Sequence, residues 1–216
     1  MKTQNKDRQS LLLFTRLPLL GKTKTRLVPH IGEEGALQVH WAILKDFSAV
    51  WKKLKRKEKK LSFLVFYDLP KGIAREQGET VLSCLKTLFP KASFQRQEGK
   101  DIFDKMENAF RYSFSKGSSY LVGADIPFME AEHFQRVFAL GRKGRQVLGA
   151  SLDEGYYGIG LQRRIEPELL HACFSYQAVQ ENRTILAAST LRNGRSMPEG
   201  RAIRPVQKEN PFSYTR

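Results

Sequence analysis

The chain has 216 residues, enough for one ordinary domain, and its 37 Lys plus Arg against 22 Asp plus Glu leave a net charge of +15. An apolar fraction of 41 % with 11 % aromatics supports a buried core and excludes a disordered chain. No apolar run approaches the roughly 18 residues of a membrane span, and Leu11 to Phe14 is too short for a signal-peptide core. Cys84 and Cys173 cannot build a disulfide framework or a zinc site by themselves, and the histidines at 30, 40, 133 and 171 lack metal-type spacing. Cys84 falls in an apolar helical pattern and reads as a core thiol. A single cytoplasmic domain over residues 1–216, with anionic partners, is the expectation.

Strand and helix patterns alternate along the chain. Leu11–Thr15 is a short apolar run stopped by Arg16 and Pro18, the pattern of a buried strand. From Glu33 the period changes. Ala36, Ile43, Phe47, Val50 and Leu54, flanked by Leu37, Trp41, Leu44 and Trp51, mark one face of a helix. Residues 52–60 carry seven basic groups and one acid, and read as a solvated helix end or as a polyanion-binding patch. Ser62–Tyr67 is a second strand, Glu79–Leu88 a helix, Ala92–Gln95 a third strand, and Ile102, Met106, Ala109, Phe110 and Phe114 another helix face. Tyr120–Gly123 is a strand running into Asp125 and Pro127. Phe134–Leu140 is helical and Gln146–Ala150 a further strand. Such alternation predicts a mostly parallel sheet with helices on both faces. Ligands then bind at the carboxyl ends of the strands, in the loops after Thr15, Val122 and Ala150.

Each of those loops carries chemistry. The first places Arg16, Lys22, Lys24 and Arg26 within eleven positions. If the segment is extended, Lys22, Lys24 and Arg26 point to one side, where they suit a di- or triphosphate, and Gly21 admits an anion close to the backbone. Only the Gly-Lys-Thr triplet of a Walker A loop is present, without its spacing. In the second loop Asp125 either holds Mg²⁺ or Mn²⁺ with its hard oxygens, or caps the helix that begins near Glu130 or orders the turn. The third, Asp153-Glu154-Gly155-Tyr156-Tyr157-Gly158-Ile159-Gly160-Leu161, joins acids to glycines and tyrosines. Glycine can make room for a substrate that Tyr156 and Tyr157 would stack on or hydrogen-bond, or the same residues turn a hairpin.

Three blocks in order carry a resemblance over about residues 10–165: Phe14-Thr15-Arg16-Leu17-Pro18 through Gly21, Lys24, Thr25, Arg26 and Leu27; then Gly123-Ala124-Asp125-Ile126-Pro127; then Asp153 to Leu161. Together they resemble a bacterial family of glycosyltransferase-like proteins with a GT-A-like, nucleotide-diphospho-sugar transferase fold. More distantly, they are similar to the guanylyltransferases of molybdenum-cofactor and phospholactate metabolism. The resemblance implies a three-layer α/β/α Rossmann-like domain acting on a nucleotide-sugar or a nucleoside triphosphate with Mg²⁺ or Mn²⁺. It further implies that Arg16, Lys24 and Arg26 bind phosphates, that Asp125 holds the metal, and that Asp153 sits beside the acceptor or the metal. Lys22 is added on charge and spacing. Glu154 stands where the family has its second glycine, and the family's terminal aspartate block has no counterpart at Arg204–Pro211. Glycosyl or nucleotidyl transfer, with Asp125 and Asp153 as catalytic residues, is therefore expected alongside two alternatives. One is nucleotide or anion binding without turnover, suggested by Glu154 and the missing aspartates. The other is nucleic-acid binding through residues 52–60.

Overall fold

The computed structural model describes residues 8–114, 117–127, 129–150 and 156–161. A strand with no polar face must lie in the middle of a sheet covered on both sides. Strand β1, Gln9–Arg16, does so, with Leu11, Leu12 and Leu13 fully buried. β2 (Leu61–Asp68) and β4 (Ser118–Gly123) flank it in parallel, so that Leu13 lies between Val65 and Val122. β3 (Ser93–Arg96) adds in parallel to β2. β6 (Tyr156–Leu161) runs antiparallel to both β4 and β5 (Val147–Ala150), giving a six-stranded sheet in the order β3-β2-β1-β4-β6-β5. The one reversed strand has a simple cause. Five residues separate β5 from β6, and a parallel crossover needs a dozen or more.

Helices α1 (Val28–Lys57), α2 (Arg75–Leu88) and α4 (Ala131–Arg142) cover one face. There Leu11, Leu13, Phe63 and Val65 pack with Leu44, Phe47, Trp51, Leu85, Phe89, Phe134 and Phe138. α3 (Ile102–Phe114) covers the other, where Leu12, Phe14, Leu64 and Phe66 meet Met106, Ala109 and Phe110. The expected three-layer α/β arrangement, with a mostly parallel sheet, is therefore present. Among the described residues no helix is long and apolar enough to cross a membrane.

Three details differ from the sequence expectation. The buried stripe of α1 runs through Ala36, His40, Leu44, Phe47, Trp51 and Leu54, with Ile43 and Val50 only half-buried, so a histidine occupies the centre of the apolar face. α2 starts at Arg75, before the apolar period begins, with a polar first turn that carries an Arg75–Glu79 bond of 2.7 Å. Cys84 is exposed on α2 while its neighbour Leu85 takes the core position, so the thiol is not a core residue. The basic stretch after Trp51 forms the last turns of α1. There Lys55 lays its ammonium over the Trp51 ring, 5.9 Å from the centroid, and donates to the carbonyls of Lys59 (2.9 Å) and Leu61 (2.7 Å). Basic residues at a helix carboxyl end are favoured by its dipole and free carbonyls.

Candidate active site

The carboxyl ends of β2, β1 and β4 stand side by side and present Asp68, Arg16 and Asp125 in that order across the sheet edge. Backbone bonds carry the ladder past the strand ends: the Leu17 amide donates to the Asp68 carbonyl at 2.9 Å, and the Ala124 amide to the Phe14 carbonyl at 2.8 Å. From there the first loop begins as core. Leu17 and Leu19 are buried at 1 % and 3 % exposure, which anchors the chain before its cations.

The loop is not extended. Gly21 has φ 67°, Lys24 has φ 47°, and a 3-10 turn over Thr25–Leu27 follows, closed by the Leu27 amide on the Lys24 carbonyl at 2.8 Å. Lys22, Lys24 and Arg26 therefore do not form one row. Lys22 and Arg26 are exposed, whereas the Lys24 side chain is only 13 % exposed. Its ammonium pairs with the Asp125 carboxylate and lies 3.4 Å from the Ala124 carbonyl. The first and second sequence blocks, 101 residues apart, thus meet in one ion pair. Arg16 is exposed at the end of β1 beside it.

Gly21 does not open onto empty space: a Cβ there would come within 2.8 Å of the Glu33 carboxylate. Its positive φ is what requires glycine, since an L side chain pays for that conformation. Asp125 does not cap α4, because the residue at the N-cap is Glu130, with no side-chain cap bond. The capping alternative falls.

Behind Lys24 lies a buried polar network that sequence reasoning did not single out. Thr15 at the end of β1, Thr23 in the loop and His40 on α1 are 4 %, 2 % and 2 % exposed. Thr15 Oγ1 donates to the Arg16 carbonyl at 2.8 Å, so it accepts from His40 Nε2 at 3.1 Å. Nδ1 is then the unprotonated nitrogen and accepts from the Thr23 hydroxyl. Burial, then the Lys24 charge, lower the His40 pKa from 6.5 to about 4; Asp125 opposes this shift and Arg16 adds to it. The imidazole is therefore neutral at neutral pH. A signal was present in the sequence. His40 sits four residues from both Ala36 and Leu44 on an apolar stripe, where a polar group must find partners.

On the other side of β1, Lys105 of α3 pairs with Asp68 at 2.8 Å. Gln97 donates from its amide to the carbonyls of Phe66 (2.9 Å) and Thr15 (3.2 Å), tying the ends of β1 and β2 together. The edge thus carries two carboxylate–ammonium pairs, Asp125–Lys24 and Asp68–Lys105. Asp125 is 84 % exposed, and among the described residues no group of three His, Cys, Asp or Glu side chains is arranged to hold an ion. One exposed carboxylate with hard oxygens fits a Mg²⁺ or Mn²⁺ ion that keeps its waters and shares phosphate oxygens. It does not fit an ion caged by protein ligands.

The third block divides. Asp153, Glu154 and Gly155 lie outside the described residues. Tyr156 and Tyr157 begin β6, at the carboxyl end of β4, and both are half-buried on opposite sheet faces. Tyr156 packs against the α3 cluster with its hydroxyl 3.8 Å from Met106 sulfur. Tyr157 lies against His133, with ring centroids 5.7 Å apart, over Gly149. Gly158 and Gly149 make room for aromatic rings of the core. A Cβ on Gly158 would stand 2.6 Å from Tyr120 Cζ, and one on Gly149 2.6 Å from the Tyr157 ring. β5 and β6 pair antiparallel, as the two arms of a hairpin would, with residues 151–155 between them outside the described residues.

The sequence profile of a family described as "uncharacterized protein conserved in bacteria" (DUF2064) matches residues 57–175, more than half of the chain. No curated protein matches the sequence. Among solved structures, a protein from Desulfovibrio desulfuricans G20, named as a candidate nucleotide-diphospho-sugar transferase, superposes with a TM-score of 0.66 at 23 % identity. That match covers 82 % of this chain and 76 % of that one. A 4-diphosphocytidyl-2C-methyl-D-erythritol synthase from Anaerococcus prevotii DSM 20548 superposes with a TM-score of 0.50 at 8 % identity, over 83 % of this chain and 85 % of that one. At these identities the likeness is one of fold.

Proposed function

The chain belongs to the DUF2064 family, and from its fold and site geometry we propose that it is a transferase using a nucleotide-activated substrate, with a glycosyl or a nucleotidyl group as its cargo. The observation that carries the reading is the convergence of Lys24 and Asp125 at the carboxyl edge of a nucleotide-sugar-transferase-like fold. An ammonium and a carboxylate held together there supply the two charges that a metal-bound phosphate group needs.

In this reading the phosphates of a nucleotide-sugar or a nucleoside triphosphate approach the first loop. Lys24 turns its ammonium from Asp125 to a phosphate oxygen, which frees the carboxylate. Arg16, Lys22 and Arg26, exposed elsewhere along the same segment, add positive potential, and the guanidinium groups can grip phosphate in a bidentate manner. Asp125 would hold Mg²⁺ or Mn²⁺, and such an ion, once bound, neutralises charge building on the departing phosphate. Once turned to the phosphate, Lys24 stabilises the same charge as a fixed donor at the site. Asp153, by the family resemblance, serves the acceptor or the metal, and Tyr156 and Tyr157, half-buried at the start of β6, would offer the substrate their exposed portions. The reading places the protein in the cytoplasm.

The test is a thermal-shift and calorimetric screen of nucleoside di- and triphosphates and nucleotide-sugars, with and without Mg²⁺ or Mn²⁺. The expected result is a metal-dependent rise in melting temperature for one base, lost in Asp125→Asn. Metal-dependent binding that survives Asp125→Asn unchanged removes the metal role from Asp125. No shift with any nucleotide refutes the transferase reading.

A further inference from the structure

We propose that His40 is a positioning residue for the phosphate loop: its imidazole, fixed between Thr15 and Thr23, sets the conformation in which Lys24 faces the anion site. The ligand in question rests on the transferase reading; the geometry does not. Three elements meet at one ring, with β1 ending at Thr15, the loop passing through Thr23, and α1 carrying His40. Because an imidazole is rigid and bonds through both nitrogens, it acts as a spacer of set length between strand end and loop. Thr23 is the residue before Lys24. Lys24 is held at φ 47°, a left-handed conformation that residues with a Cβ avoid, so neighbouring contacts must hold it there. One is the bond from the Leu27 amide to the Lys24 carbonyl; the other is the Thr23 anchor. Without that anchor the backbone at Lys24 relaxes and its ammonium leaves Asp125 and the Ala124 carbonyl.

A histidine chosen only to fill the core would be a poor choice here. Leu44 and Phe47 occupy the next positions of the same stripe at no desolvation cost. Protonation of the ring is disfavoured by its burial first and then by the Lys24 charge, with Asp125 opposing this and Arg16 adding to it, so the ring keeps an acceptor nitrogen for Thr23.

The experiment titrates inorganic pyrophosphate and a nucleoside triphosphate, each with Mg²⁺, into the full chain and its variants, with melting temperature followed in parallel. Thr23→Val, which keeps shape and removes the hydroxyl, raises the pyrophosphate Kd by about tenfold, and Thr23→Ser restores it to within about threefold. His40→Asn, whose amide falls near Nδ1, keeps more affinity than His40→Gln, whose amide falls near Nε2. The same pair supplies the comparison if Thr23→Val does not fold. In a Lys24→Ala background the effect of Thr23→Val disappears, as it must if the threonine acts through the lysine. Wild-type affinity in Thr23→Val and both His40 variants overturns the proposal, and so does a Thr23→Val penalty that persists unchanged without Lys24. If the wild-type protein binds neither probe, the transferase reading fails in the first titration and this inference goes with it. Wild-type binding with indifferent variants sinks the inference alone.

Discussion

Acid should destabilise this protein through His40 as pH falls below the range of a free imidazole. In the folded state burial and the neighbouring Lys24 hold the imidazole pKa at about 4, against 6.5 for a free side chain. The unfolded chain therefore binds more protons between those values, and stability rises with pH across that interval. The contribution is fully present above pH 6.5, falls as pH drops below it, and is lost once pH passes below about 4. At roughly 1.4 kcal/mol for each tenfold change in the proton equilibrium, the whole effect is about 3 kcal/mol, of which about 2 kcal/mol is already lost at pH 5. Against a typical domain stability of about 5–15 kcal/mol, such a loss shifts a urea midpoint visibly. His133, also held down by burial and then by Arg136, pulls in the same direction, so the wild-type curve alone does not isolate His40. The comparison with His40→Gln does. Urea unfolding at pH 7, 6 and 5 should show the wild type more stable at pH 7, with the gap narrowing by about 2 kcal/mol by pH 5 as the variant lacks the titrating ring. A gap that stays constant over that range refutes the buried neutral imidazole. Ring nitrogen signals in an NMR titration should show the Nε2-protonated neutral form persisting at pH 5.

Other perturbations test the remaining packing and the loop. Gly158→Ala forces a methyl group to 2.6 Å from Tyr120 Cζ, and to 3.1 Å from the Leu121 carbonyl oxygen. It should cost about 2–3 kcal/mol in chemical unfolding, and an unaffected midpoint would show that β6 does not pack as described. Gly21→Ala should cost about 1 kcal/mol from its positive φ. Because Glu33 is an exposed, flexible neighbour, adding Glu33→Ala should recover little of that loss in the same unfolding assay. Lys105→Met strips the ammonium from a half-buried Asp68 and should lower stability by about 1–2 kcal/mol. Full stability in that variant would mark the pair as a surface contact.

Strand positions and the order of elements were legible from residues alone, because a parallel sheet covered on both faces leaves unbroken apolar runs such as Leu11–Phe14 and Tyr120–Val122. The carboxyl-edge location of the basic loop and of Asp125 followed from that order. Pairwise geometry could not be read the same way. Alternation of Lys22, Lys24 and Arg26 suggested a row of cations, but a left-handed residue and a 3-10 turn rotate them apart, and backbone dihedrals of that kind follow from contacts made across the fold. Glycines at 158 and 160 looked like space for a substrate, whereas a Cβ there would meet Tyr120 on β4 and Val147 on β5, neighbours that the sheet's strand order brings together. His40 illustrates the division most fully. Its place on the apolar stripe of α1 was written in the spacing, and spacing alone requires that a buried imidazole find partners. Which partners, Thr15 and Thr23, and the consequent hold on Lys24, were decided only when β1, the loop and α1 came together, because hydrogen bonds depend on distance in space and not along the chain.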